Sequence, residues 1–218
     1  MSVIIGMQIK SFEFNFFGEN TYIIWDAKSG EAAFVDPGMV NDKETAALEH
    51  FVAENKFHPK YILLTHAHVD HTFGIETLTS RYAIPVVAHK DDIPLARMRG
   101  QQAQMFHLPI DLGPLEIDRF VSDGQELYLG TEEIVVIATP GHSPGGVCYY
   151  VPDSNFALTG DTIFQGSIGR TDLPGGNQRT LIKSIMDKLL VLPGDTVLYP
   201  GHGPATTVSY EEEHNPFL

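Results

Sequence analysis

The chain has 218 residues, 43% hydrophobic and 19% charged, a balance that suits a packed core and excludes disorder. Its formal net charge of −14, from 14 Lys+Arg against 28 Asp+Glu, excludes nucleic-acid binding through a basic surface. Cys148 is the single cysteine, so there is no intrachain disulfide, and a reducing compartment fits.

The opening "MSVIIGMQIKSF" has no basic stretch followed by a long apolar one. No apolar run approaches the ~20 residues of a membrane span. The expectation is a cytoplasmic protein, one domain over 1–218, with no membrane partner; oligomeric state stays open.

"MQIKSFEFNFF" places apolar residues mostly two apart, at Ile9, Phe12, Phe14 and Phe16. With "NTYIIWD" and "EAAFVDPG" it reads as an antiparallel meander. "DKETAALEHFVAEN" switches to helical spacing through Ala47, Leu48, Phe51 and Val52. "KYILLT" is a strand, "GIETLTSRY" a short helix and "PVVAH" another strand. Residues 90–119 read as a helix followed by a long loop, a lid or substrate wall. "QELYLG", "EIVVIAT", "GVCYYV", "NFALTG" and "TVLYPG" are strands, and "QRTLIKSIMDKLLVL" is an amphipathic helix with core residues Leu181, Ile185, Met186 and Leu189. Two strand-rich halves carrying helices predict an α/β fold of two sheets packed face to face, helices outside.

The chemistry concentrates in "LLTHAHVDH", where His66, His68, Asp70 and His71 follow an apolar strand. Composition alone gives such a cluster a chance of about 10⁻³, so it is a strong signal. One short segment does not complete a metal shell; it suits two partial sites side by side. Further donors stand beside glycines where strands run out: His142 in "ATPGHSPGG", Asp161 in "ALTGDTIF" and His202 in "LYPGHGP". Together these make five His and two Asp, enough for two four-coordinate ions sharing a bridging carboxylate, with an open position for water.

"THAHVDH", "TPGHSPGG", "LTGD" and "YPGHGP", in this order, resemble the metallo-β-lactamase superfamily, and within it the small glyoxalase II-like hydrolases. "GSIGRTDLPGG" is similar to the loop after the bridging aspartate in that group. The resemblance implies an αββα sandwich of two mixed sheets flanked by helices. It implies His66, His68 and His142 on one metal, Asp70, His71 and His202 on the other, and Asp161 between them, with Asp70 also orienting the attacking hydroxide. The implied cofactors are two divalent ions, zinc first, with iron or manganese compatible with all-N,O donors. The implied reaction is hydrolysis of a small-molecule thioester, typically a 2-hydroxyacyl-glutathione. A thiol with pKa near 8.5 leaves as thiolate with little acid help. Full-length glyoxalase II grips glutathione with basic residues of a C-terminal extension, whereas the 16 residues after His202 contain no Lys or Arg. The alternatives are an iron-dependent persulfide dioxygenase, a lactonase or other acyl hydrolase of the same fold, and a non-catalytic metal-binding module. A cysteine-free set with two acidic donors and an open position favours catalysis over the last.

Other residues read more plainly. His50, His58, His89, His107 and His214 lie outside the set, with His89 and His107 nearest to a supporting role. Asp36 in "VDPG" reads as a turn former that the resemblance places close to the ligands. Arg170 and Asp172 read as an internal salt bridge of a Gly-rich loop, Tyr149, Tyr150 and Phe164 as core, and Glu211–Glu213 as a solvated face.

Overall fold

The computed structural model describes residues 6–218. The N-terminal reading rests in part on residues 1–5, which lie outside the described residues. No described helix is long and apolar enough to cross a membrane.

Two six-stranded mixed sheets face each other. The first runs in chain order through β1 (Met7–Phe14), β2 (Glu19–Asp26), β3 (Glu31–Val35), β4 (His58–Leu63), β5 (Val86–His89) and β6 (Arg119–Val121). β1, β2 and β3 form the expected meander, and β3 to β6 pair in parallel. Helices α1 (Asp42–Asn55) and α2 (Ile75–Tyr82) join the parallel strands, as such crossovers require. The second half of the chain supplies β7 (Glu126–Leu129), β8 (Glu132–Ala138), β9 (Val147–Val151) and β10 (Phe156–Gly160). A small hairpin of β11 (Ile163–Phe164) and β12 (Ser167–Ile168) follows, then β13 (Val197–Pro200) and β14 (Thr206–Thr207). The second sheet has the spatial order β14-β13-β10-β9-β8-β7, parallel only at β10–β13.

Alternation sends each strand's side chains into two different cores. In β2 and β3, Ile23, Ala32 and Phe34 pack outward against Leu48 and Val52 of α1. Their neighbours Ile24, Ala33 and Val35 pack inward against Ile134, Val136, Tyr149 and Leu158 of the second sheet. Strands covered on both faces read as continuous apolar runs, which is why "YILL" carries no polar alternation. The far face of the second sheet packs Cys148, Ala157 and Leu198 against Leu181, Ile185 and Leu189, with Val208 beside them. These layers are the αββα sandwich expected.

Four local readings change. The helix expected after residue 90 breaks at Met98 into α3 (Ile93–Arg97) and α4 (Arg99–Met105), and the segment beyond it ends in the three-residue edge strand β6. That segment is pinned: Leu108, Ile110 and Leu112 pack against Val69, Phe73 and Ala103. Buried Arg99 donates to the Gly113 and Thr72 carbonyls and pairs with Glu76. Helix α5 (Gln178–Ser184) continues as a π-helical turn, Ile185–Leu189. The wider turn keeps Leu181, Ile185 and Leu189 on one buried line and rotates Met186 out to 46% exposure, so Met186 is not core. Last, α6 (Val208–His214) buries Glu211 while Glu212 and Glu213 stay exposed. The Glu211 carboxylate accepts from Thr206 Oγ1, Asn215 Nδ2 and Gly166 N, so it is an anchor rather than part of a solvated face.

Candidate functional site

All seven predicted donors meet at one end of the sandwich. His66, His68, Asp70 and His71 follow the carboxyl end of β4, with Asp70 and His71 on a 3₁₀ turn, Val69–His71. His142, Asp161 and His202 follow the carboxyl ends of β8, β10 and β13. Backbone and side-chain bonds lock the two sheets together there: Val147 N to Thr65 O at 2.8 Å, Asn20 N to Gly201 O at 2.7 Å and Tyr149 Oη to Leu64 O at 2.9 Å. Gly201 is required by close approach, because a Cβ there would lie 2.3 Å from Asp161 Oδ1 and 2.7 Å from His71 Cε1.

The donor atoms form two triads. His66, His68 and His142 present ring nitrogens within 4.8 Å of one another, and so do Asp70, His71 and His202 with their nitrogens and a carboxylate oxygen. Asp161 lies between, its Oδ2 3.6 Å from His142 Nε2 and its Oδ1 3.5 Å from His71 Nε2 and 3.7 Å from His202 Nε2.

The outer hydrogen bonds decide which nitrogens carry protons. His142 Nδ1 lies 2.7 Å from the Arg170 carbonyl and His202 Nδ1 lies 3.2 Å from the Phe17 carbonyl. A carbonyl only accepts, so both Nδ1 atoms donate and both Nε2 atoms turn lone pairs inward. Thr65 Oγ1 donates to Asp36 Oδ2, so its contact with His66 Nδ1 at 3.0 Å is received from the imidazole, and His66 Nε2 is bare. His71 Nδ1 donates to Asp36 Oδ2 at 3.2 Å. His66 Nε2 and His142 Nε2 then face each other at 3.3 Å, with His68 Nδ1 2.8 Å from His142 Nε2. His71 Nε2 and Asp161 Oδ1 are buried without hydrogen-bond partners. Inward lone pairs and carboxylates around orphaned buried atoms are what bound cations satisfy.

The charge preferences divide the same way. Burial, reinforced by His71 and His142, holds His66 well below the usual histidine range. Burial, with His142 beside it, brings His68 down to about 3. Both are neutral donors at neutral pH. His71 is also penalised by burial, yet Asp70, Asp161 and Asp36 outweigh it and raise the imidazole. Asp70 shows the converse: burial opposes ionisation, but His71 and His202 draw it below the usual carboxylate range.

Two buried carboxylates behind the donors, Asp36 and Asp92, position them, and a third acidic residue, Glu19, lies close by. Asp36 has φ +49°, unusual for a residue with a side chain, and receives Thr65 N at 2.7 Å as well as His71. It is both turn former and support. Asp92 accepts from Ala67 N at 2.9 Å, Ser143 Oγ at 2.9 Å and Gly145 N at 2.6 Å, tying the "THAHVDH" loop to the "GHSPGG" loop. Glu19, wholly buried, lies 3.9 Å from His71 Nδ1, and desolvation raises its pKa well above the carboxylate norm. Sequence reading missed Asp92 and Glu19; nothing local separates Asp92 from Asp91 or Glu19 from Glu13. His89 receives Asp91 N, and His107 is exposed, both apart from the triads. His50, His58 and His214 are exposed.

The triads open into a cavity of about 390 Å³. Its walls are aromatic and aliphatic, with Phe17, Phe106 and Phe164 prominent and Phe17 5.8 Å from Phe106 in an edge contact. Phe164 therefore faces the cavity rather than the core, whereas Tyr149 and Tyr150 pack in the layers. Phe164 and Ile168 stand on the β11–β12 hairpin. Glu211 holds its turn at Gly166, and Asn215 Nδ2 donates to Ser167 O. Arg170 also lines the cavity and makes a two-point ion pair with Asp172, at 2.8 and 2.9 Å.

The chain is similar to known proteins. The chain is 39% identical over 183 residues to the probable metallo-hydrolase YqgX of Bacillus subtilis, covering 84% of this chain and 85% of that one. It is 36% identical over 219 residues to the hydroxyacylglutathione hydrolase GloC of Haemophilus influenzae, covering 97% and 98%. Among solved structures, the BLEG-1 B3 metallo-beta-lactamase superposes with TM-score 0.87 at 36% identity, covering 97% of this chain and 99% of that one. The di-iron-bound form of TTHA1623 gives 0.84 at 34%, covering 96% and 100%. ETHE1 from Myxococcus xanthus gives 0.76 at 26%, covering 96% and 83%. A family model matches residues 14–202, and with the relatives it places the chain in the metallo-beta-lactamase superfamily.

Proposed function

We propose that the protein is a metal-dependent hydrolase of a small-molecule thioester, an S-(2-hydroxyacyl)glutathione being the leading substrate. The observation that carries this is the pair of inward-facing donor triads joined by Asp161 at the base of an apolar cavity. Two divalent ions held by His66, His68 and His142 and by Asp70, His71 and His202, with Asp161 between, would supply hydroxide at neutral pH and an electrophile for the substrate carbonyl. All donors are N or O; zinc fits, and the likeness to a di-iron protein supports iron beside it.

The chain's own residues do the rest. Asp70, with Oδ2 3.4 Å from His202 Nε2, orients the attacking water through its free carboxylate edge. Phe17, Phe106 and Phe164 keep bulk water from the reacting carbonyl. Among the described residues of the cavity lining outside the donor triads and Asp161, only Ser167 and Arg170 carry side-chain N–H or O–H groups, and neither is an acid near neutral pH. A leaving group that departs without a proton suits such a site, which favours a thiolate over the amine released from an amide. The likeness to BLEG-1 supports a β-lactam amide as the second substrate class to assay.

The test is loss of thioester absorbance from S-lactoylglutathione with zinc- or iron-loaded protein. Turnover that chelation abolishes and metal restores is expected. A fully loaded sample that leaves the thioester intact refutes the thioesterase reading, and β-lactam hydrolysis then decides between acyl classes.

A further inference from the structure

Beside the main cavity lies a smaller apolar annex of about 50 Å³. The two share His68, Phe106 and Leu173 in their walls. Leu95 and Pro174 form part of the annex, and Met98 and Met105, 36% and 56% exposed, also line it. Its buried polar neighbour is turned away: Gln102 accepts from Val69 N at 3.1 Å and donates to Leu95 O at 2.9 Å. Gln101, exposed, and the His68 ring are the other polar groups of its lining, so the annex offers a ligand mostly carbon and sulfur with one amide beside them.

We propose that this annex binds the acyl side chain of the substrate, and that this chain is a short, unbranched alkyl group. The proposal rests on the acyl-hydrolase reading above and specifies its substrate. Position selects the acyl half: His68, a member of the first donor triad, lines both spaces with Phe106 and Leu173, so the annex lies beside the triad at which the reacting carbonyl would be held. Size agrees, because the annex holds about two water-sized groups, two or so methylenes, while the larger cavity with Arg170 and Ser167 takes the polar thiol half. Methionine walls adapt to a flexible chain at little strain. A carboxylate or a second hydroxyl in the annex would trade its water for little more than the exposed Gln101 amide.

The experiment compares kcat/KM for glycoloyl-, lactoyl-, 2-hydroxybutanoyl- and 2-hydroxyhexanoyl-glutathione on the metal-loaded enzyme. Each of the first two added carbons is expected to raise kcat/KM about fourfold, with no further gain at hexanoyl. Met105→Glu and Met98→Glu are expected to flatten the ratios between substrates. Independently of turnover, the methyl resonances of Met98 and Met105 in methionine-labelled protein are expected to shift with butanoate and not with glycolate. Hydrolysis with no dependence on chain length, or methyl resonances indifferent to butanoate, overturns the annex and leaves the thioesterase reading standing. Methyl shifts without hydrolysis of any thioester support the annex and refute the reaction.

Discussion

Replacing Asp92 with Asn tests whether one buried carboxylate sets the geometry of the first triad. Asp92 is wholly buried and accepts three bonds, one from the peptide between His66 and His68 and two from the segment following His142. Asn keeps the shape but has one acceptor oxygen. If it keeps Ala67 N and Ser143 Oγ, its amide N–H confronts Gly145 N, 2.6 Å from the present oxygen. One unpaired buried donor costs about 1–3 kcal/mol, and losing charge assistance on the other two costs about 1 kcal/mol each. Burial raises the Asp92 pKa, so relief of that strained charge returns part of the loss. The net is about 2–4 kcal/mol, or roughly 5–15 °C in Tm for a domain of this size. Because the damage falls on the loops of His66, His68 and His142, affinity for an ion at that triad is expected to fall 10–100-fold, with less effect on an ion at Asp70, His71 and His202. Thermal unfolding of the metal-free protein and a competition titration with a chromophoric chelator measure both. An Asp92→Asn variant with Tm within a degree or two of wild type and both affinities unchanged would refute this account of the site.

Further expectations follow from the same geometry. Asp161→Ala removes the group between the triads and is expected to lower metal content and cut activity at least 100-fold; full activity at unchanged metal content would sink the bridging role. Gly201→Ala places a methyl 2.3 Å from Asp161 Oδ1 and is expected to disturb metal binding while the far-UV circular dichroism spectrum persists. In the metal-free protein, burial lowers His68 from 6.5 to about 3, so the unfolded chain binds more protons between those values. Stability is therefore expected to fall as pH drops below about 6.5, more steeply than in His68→Asn, and equal slopes in Tm against pH would contradict the assignment. His50→Ala and His214→Ala, both at exposed positions, are expected to leave activity and Tm within error.

The donors were legible because strand ends and glycines announce where a side chain can face a shared edge. "ALTGDTIF" and "LYPGHGP" show this: Gly160 takes φ +47° beside Asp161, and Gly201 leaves the space His71 needs. The layers were legible because doubly covered strands such as "YILL" have one simple signature. What failed was long-range. Glu211 sits in a run of three glutamates that looks solvated, and only the return of Gly166 and Thr206 to its side makes it a buried anchor. Met186 falls on the apolar stripe of an α-helix, but the chain switches to a π-turn at Ile185. β6 has only three residues, too few to show a period, and pairs with β5 through contacts more than thirty residues apart in sequence. Asp92 owes its role to partners on other loops.

The division of the donors between the sheets explains how metal binding and folding are joined. His66, His68, Asp70 and His71 follow a strand of the first sheet, and His142, Asp161 and His202 follow strands of the second. Each triad therefore takes members from both sheets, and any ion bound to it cross-links the sandwich. The protein-only ties at that seam are directional bonds, which also include the Glu19–His202 bridge, Asn20 Nδ2 to the Pro200 and Gly203 carbonyls, and Tyr22 Oη to Pro200 O. They fix the register in which the apolar faces of Ile24, Val35, Val136 and Leu158 meet, which would assemble the triads before an ion arrives. An ion present at 100 times its dissociation constant then adds about 2.7 kcal/mol to the docked state. A pre-assembled seam predicts that chelation lowers Tm without dissolving the sheets, whereas a site assembled by its ion would lose strand structure along with the metal.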